Sequence, residues 1–319
     1  MKSSATALQP VGLQLRTDLH KRTHWQAVVY LVLTSACFAA LDTLTKYTGA
    51  FAPVTQTLWM RYAVQAVMMS LWWAIWLRQE SGFAFFNTHH PKFHLLRAIL
   101  MIACTGLCFV GLRYMPVGEF TAVAFLSPMI AMLLSGWLLK EYVAPAQGWF
   151  AGVAFIGAVI VIRPGADIFG WAVLFALGVA LFNALFQLIT RRLASADEHP
   201  VFSQWIVGWV GVLLSSVPLV WPDTWNWGLS VLQWFVLLAI GMLGTLGHFF
   251  LMKAFALDTA PALAPYSYVQ IVFAMFGGWI LFAHVPDAWA IAGMLVIVLS
   301  GFASGVMRAQ RSNRVSRAS

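Results

Sequence analysis

The sequence predicts an all-α integral membrane protein: ten transmembrane helices, arranged as two inverted five-helix repeats around a central cavity. Three observations predict it. The chain is 61% hydrophobic and only 9% charged, with 16 Trp and 24 Phe, whereas soluble domains carry about a quarter charged residues. Polar breaks divide it into apolar stretches, nearly all long enough to cross about 30 Å of hydrocarbon. Residues 112–141 (LRYMPVGEFTAVAFLSPMIAMLLSGWLLKE) are echoed by residues 255–284 (FALDTAPALAPYSYVQIVFAMFGGWILFAH). Each has a small proline-bearing turn, an apolar span with a Pro in its body, a Gly-Trp close and an ionisable residue, Glu141 or His284. Such an echo marks two homologous membrane halves.

Taken in order, residues 1–25 form a basic cytoplasmic tail. Its Lys2, Arg16, Lys21 and Arg22 precede an uncleaved span rather than a removable signal. The spans read as 26–48, 54–77, 94–114, 117–139, 146–162, 168–190, 202–221, 231–256, 261–283 and 287–307. The first repeat covers 26–163, the second 168–307, and a basic cytoplasmic tail fills 308–319. Linkers such as RPGAD (163–167) and WPDTWNWG (221–228) are too short for a soluble domain.

Charge sets the topology. With a cytoplasmic N-terminus, 14 of the 19 Lys and Arg fall in the two tails or at inner span ends (Arg78, Lys92, Arg97, Lys140, Arg191, Arg192). Lys46, Arg113 and Arg163 fall outside, and Arg61 and Lys253 within spans. The bias places both termini in the cytoplasm and requires an even number of spans. Five spans per half is odd, so the second half is inverted. The net charge of +8 is therefore topogenic, not a nucleic-acid footprint.

The halves also align at CFAALDTLTK (37–46) with NALFQLITR (183–191), and at TLWMR (57–61) with SQWIV (203–207). With PVGEFTAVAFLSP, LLKE and AFIGAVIVIRPG (154–165) in the first half, and GTLGHFFLMKAF (244–255), APYSYVQ (264–270) and HVPDAWAIAG (284–293) in the second, the chain resembles the drug/metabolite transporter superfamily, specifically its EamA-type ten-helix members. The resemblance spans roughly residues 26 to 305. It departs where the family usually has Gly-Glu at Lys140-Glu141 and a second Glu at His284. It implies a secondary transporter working by alternating access. The cargo is a small organic metabolite: an amino acid, a nucleoside-like cofactor of S-adenosylmethionine or riboflavin type, or a drug. The implied location is the inner (plasma) membrane.

Ionisable groups inside a bilayer are costly and mark functional candidates. Asp42 and Arg61 lie at one depth on consecutive antiparallel helices, about 9–10 Å below the outer surface at 1.5 Å per residue. They read as a coupling ion pair or as a structural one, with Lys46 also within reach of Asp42. Glu119 opens the fourth span, as a coupling group or as a helix-dipole partner. His248 falls mid-span, for proton relay, ligand contact or an interhelical bond.

Pro128 and Pro265 are the predicted hinges, since each removes a backbone donor. Tyr266, Tyr268, Gln270, His248, Ser127, Asn183 and Gln187 form the predicted substrate-binding set; the alternative is that such groups bond helices together. Cys37, Cys104 and Cys108 read as small buried packing residues. His89, His90 and His94 lack the further ligands a metal needs. No metal or cofactor is expected. The expected partners are a small-molecule substrate, the lipid bilayer, protons and a second copy of the chain, with no nucleic acid. The chain is not expected to be an enzyme. The competing reading, an integral-membrane enzyme acting on a lipid-linked substrate, needs acids, His and Arg gathered at one interface, and these loops are poor in them. No Walker A, Gly-x-Ser-x-Gly or HExxH motif occurs.

Overall fold

The computed structural model describes residues 11–77, 88–138, 145–163, 170–194, 200–258, 263 and 266–318. Among them there is no strand. The helices are α1 (Val11–Thr48), α2 (Val54–Trp72), α3 (Pro91–Tyr114), α4 (Val117–Ala124), α5 (Ser127–Leu138) and α6 (Pro145–Ile162). They continue with α7 (Val173–Ala194), α8 (Pro200–Ser216), α9 (Val231–Leu257), α10 (Val269–Phe282) and α11 (Ala288–Ala318). Local chemistry sets several starts. Pro opens α3, α6 and α8, where its missing N–H costs nothing. Ser230 and Gln233 close a reciprocal capping box on α9.

Among the described residues, seven helical segments are long and apolar enough to cross a membrane. These include Thr23–Thr48 of α1, the α4–α5 stretch Val117–Trp137 and Ala288–Met307 of α11. The protein is a multi-pass membrane protein. Gly148–Ile162 of α6 and Val269–Phe282 of α10 are apolar but shorter. The span read as continuous over 117–139 is in fact two helices, because the chain turns at Phe125–Leu126. Phe125 N–H still reaches Thr121 O at 3.0 Å, but Leu126 N–H reaches back only to Val123 O, also 3.0 Å. Pro128 follows directly and donates nothing, so the α-helical ladder cannot run through this point. The span read as 54–77 keeps α-helical geometry to Trp72 and ends in a π-helical turn, Trp73–Leu77.

The helices pack in a definite set of pairs. α1 lies along α9 and α10, α2 along α8 and α9, and α3 along α7 and α8. The α4–α5 pair meets α7, α4 meets α10, and α6 meets α11. The main buried cluster joins α3, α4, α5, α6, α7, α10 and α11 through residues such as Leu112, Phe120, Val123, Val161, Ile271 and Ile297. The α6–α11 contact is backbone against backbone at Gly157 and Gly293. A Cβ at Gly157 would sit 2.8 Å from Gly293 O, and one at Gly293 would sit 2.6 Å from Gly157 O. At the start of α11, Asp287 Oδ1 accepts from Ala290 N–H at 2.8 Å, and its Oδ2 accepts from Arg163 Nη2 at 2.6 Å.

Two predictions follow from this packing. Gly157→Ala and Gly293→Ala each force the helices apart and lower stability by about 1–3 kcal/mol, the usual range for overpacking, read as a fall in the thermal midpoint in detergent. The Ala290 N–H and the Arg163 guanidinium hold the Asp287 carboxyl below the usual carboxylate range. A depressed pKa stabilises the fold above the unfolded value of about 3.9 and stops doing so as pH falls through the folded value. Asp287→Asn therefore lowers the midpoint at neutral pH, and its deficit shrinks as pH drops below about 4.

Candidate functional site

α1 turns Val29, Leu33 and Tyr47 outward, each at least 40% exposed. Asp42 faces the other way. Its Oδ1 accepts from Cys108 Sγ of α3 at 3.7 Å. Both residues are only partly buried. Cys108 is six residues from the end of α3 and Asp42 six from the end of α1, and that equal depth brings them together.

Arg61, on α2, is 4% exposed and its guanidinium stacks on the Tyr62 ring, 4.8 Å from the centroid. No hydrogen-bond partner reaches its Nε or Nη1. Asp42 and Arg61 thus approach one depth without the direct ion pair expected of them. Small residues on α9 make the room: a Cβ at Gly244 would lie 3.3 Å from Arg61 Nε and 3.1 Å from Leu41. One turn further in, His248 sits edge-on to Phe38, ring centroids 5.1 Å apart, and is 7% exposed. Tyr62 OH donates to Thr105 Oγ1 at 2.9 Å.

The second half contributes its own polar group. Gln187 Nε2 of α7 donates to Ser127 Oγ at 2.7 Å, immediately after the α4–α5 break. Asn183 is one turn before Gln187 on the same face of α7 and is half-buried. Ser127 and Gln187 were both expected in a substrate cavity, and the structure does bring them together.

Lys46 does not reach Asp42. Its Nζ donates to Leu112 O and Met115 O, both 2.8 Å, satisfying carbonyls at the end of α3. Glu119, in the first turn of α4, is 2% exposed, and its Oε1 lies 2.8 Å from His284 Nε2 while Oε2 has no partner. The chain delivers His284 there because α10 ends on Ala283 in the left-handed conformation, φ 51°. Its N–H returns to Trp279 O and that of His284 to Gly278 O. Sequence reasoning noted His284 as the echo of Glu141 and as a departure from a family pattern, but not its partner; a contact between residues 165 apart carries no local signal.

Other predicted residues separate. Tyr268 is 4% exposed and packs on Phe125 at 5.4 Å, and any Cβ at Gly301 would overlap its ring; it fills space between α5, α10 and α11. Tyr266 lies elsewhere, edge-on to His24 at 5.9 Å, beside the contact of His24 with Asp258. Gln270 is half-buried in the first turn of α10. Pro265 and Glu141 lie outside the described residues. Arg97, counted among the basic residues flanking spans, is instead 4% exposed and donates to Thr190 Oγ1 (2.8 Å) and Ser203 O (3.1 Å). His94 is 1% exposed, 3.2 Å from Ser203 Oγ. Among the described residues no three His, Cys, Asp or Glu converge on a metal-sized site. A shallow apolar groove between α2 and α8, lined by Val67, Leu71, Trp205 and Trp209, holds none of the predicted residues.

Residues 25–163 match the profile of the EamA-like transporter family. The first half of the chain is thus similar to that family. Over most of its length the chain is similar to named transporters. The chain is 27% identical to the Pseudopaline exporter CntI of Pseudomonas aeruginosa over 275 residues, 86% of this chain and 93% of that one. It is 27% identical to a riboflavin transporter of Vibrio cholerae serotype O1 over 280 residues, 86% and 91% of the two chains. It is 24% identical to an S-adenosylmethionine uptake transporter of Rickettsia conorii over 280 residues, 87% and 91%. A solved crystal structure of a protein superposes on 89% of this chain and 98% of its own length, TM-score 0.62 at 19% identity, a likeness of fold. These three relatives are named as carriers.

The Glu119–His284 contact yields two expectations. His284→Ala strands a buried carboxylate and lowers the thermal midpoint by the equivalent of about 1–3 kcal/mol, a loss that Glu119→Gln in the same chain partly restores. Ala283→Gly relieves a left-handed alanine and raises stability by about 1 kcal/mol; an unchanged or lower midpoint would refute that origin of the turn.

Proposed function

We propose that the protein is a secondary transporter that carries a small organic metabolite across the inner membrane by alternating access. Its cargo is an amino acid, a nucleoside-like cofactor such as S-adenosylmethionine or riboflavin, or a drug, in keeping with what the named relatives carry. The observation that carries the reading is the set of buried and half-buried polar groups inside the bundle: Asp42 with Cys108, Arg61, His248, and Ser127 with Gln187.

The helix pairing supports two inverted halves, residues 26–163 and 168–307, in a ten-span bundle with both termini cytoplasmic. Exchange α1, α2, α3, α4–α5 and α6 for α7, α8, α9, α10 and α11. The α1–α9 contact then becomes α7–α3, α2–α9 becomes α8–α3, and α1–α10 becomes α7–α5. The α2–α8, α6–α11 and α4–α10 contacts map onto themselves. A bundle with that symmetry has two equivalent tilts, open to one side or to the other, with the polar groups at the axis. Pro128 and the break before it give α4–α5 a flexible point; Pro265 is the matching hinge of the second half. Protons couple through Asp42, Glu119 or His248, each a titratable group held inside the bundle. A second copy would meet the Gly148 and Gly152 face of α6, where a Cβ would have no neighbour within 4 Å.

The test is flux in proteoliposomes for a cargo found by thermal-shift screening of amino acids, nucleosides, S-adenosylmethionine, riboflavin, polyamines and cationic dyes. A ligand at 100 times its Kd stabilises by about 2.7 kcal/mol, well above detection. Asp42→Asn is expected to cut flux about tenfold or more, some 1.4 kcal/mol or more of lost interaction, at unchanged expression. An unaltered pH profile in Asp42→Asn, Glu119→Gln and His248→Gln alike would rule out proton coupling through these groups.

A further inference from the structure

We propose that Arg61 is the anchor for a substrate carboxylate and Asp42 the pole that receives the ammonium group of the same molecule, so that the cargo is an amino carboxylate. The inference rests on the transporter reading and narrows its substrate class.

A guanidinium buried among apolar helices is held at a cost, and proteins normally surround it with acceptors. Arg61 is 4% exposed, and nothing accepts from Nε or Nη1. The polar groups around it make contacts of their own. Asp42 Oδ1 takes the Cys108 thiol, Tyr62 OH is bonded to Thr105, and His248 is edge-on to Phe38. The group is nonetheless held in place, with Tyr62 stacked on its face and the bare Gly244 backbone beside Nε.

Nε and Nη1 belong to the two different forked edges that a guanidinium shares with Nη2. A carboxylate arriving at either edge therefore completes two parallel N–H···O bonds, the geometry for which Arg rather than Lys is suited. Asp42, at about the same depth, is only partly buried. Two opposite charges at one depth, near each other yet unpaired, form a template for a molecule with the reverse pattern. A zwitterion inserted between them cancels both buried charges at once. An uncharged ligand leaves both stranded, and a simple anion leaves Asp42 so.

The experiment is thermal-shift titration of the detergent-purified full chain with the twenty L-amino acids, followed by the C-terminal amide and the N-acetyl form of any that stabilises. At least one amino acid is expected to raise the midpoint. Its amide and its N-acetyl form should each need about tenfold more ligand, or better, for the same shift. Arg61→Lys, which keeps the charge and loses the fork, should weaken the amino acid by a similar factor. Asp42→Asn should weaken the amino acid but leave the N-acetyl form as in wild type. The derivatives carry the test on the unmodified protein if Arg61→Gln fails to fold. No shift from any amino acid, equal affinity for the amide, or unchanged affinity in Arg61→Lys would each overturn the assignment. Riboflavin stabilising wild type and Arg61→Gln alike would overturn it too, while leaving the transporter reading intact.

Discussion

An arginine is held inside an apolar helix bundle without a hydrogen-bond partner on Nε or Nη1. In hydrocarbon such a charge forces its surroundings to adapt, and much of the structure near it is that adaptation. α9 brings glycine to the contact, so that it approaches α1 and α2 closely at Gly241, Gly244 and Gly247. On α8, Gly211 accommodates the Tyr62 ring, which lets Tyr62 support the guanidinium. These glycines would weaken a soluble helix. Here they let backbones close around a polar centre.

The same constraint explains where the helices are irregular. Backbone that leaves the α-helical ladder inside a membrane has to be buried in protein or face a cavity. The α4–α5 break at Phe125–Leu126 is buried against Tyr268 and precedes the Ser127–Gln187 bond. At the far ends of α4 and α10 the contact is between polar side chains. Glu119 meets His284, and Lys46 lies nearby, spending its ammonium on the carbonyls of α3. The periphery is left to leucine, valine and tryptophan, as at Trp137, Trp149 and Trp227, each 77% exposed or more.

The positions of the helices were legible in the sequence because apolar runs and prolines are local signals. The reading placed starts at residues 54, 117 and 231, and α2, α4 and α9 begin there. Depth along a helix was legible as well, which is why Asp42 and Arg61 were picked out together. Rotation about the helix axis was not. Whether Asp42 meets Arg61 or Cys108 depends on how α1, α2 and α3 are turned, and side chains one turn apart can face different neighbours. For the same reason Tyr266 and Tyr268, two residues apart, went to different clusters. The Glu119–His284 contact depends on a left-handed alanine that no propensity would assign. Arg97 misled the reading because a basic residue at a span end normally points to water, whereas this one finds Thr190 and Ser203 on neighbouring helices.

The central claim is that the space beside Asp42 opens alternately to the two sides of the membrane, and Cys108 is a native reporter in contact with that carboxylate. The most direct measurement is labelling of Cys108, in a chain with Cys37 and Cys104 replaced by Ala, by a membrane-impermeant methanethiosulfonate in sealed right-side-out and inverted vesicles. The account predicts reaction from both faces, slowed in both when cargo occupies the site. Reaction from a single face only, whatever the cargo or gradient, would contradict it.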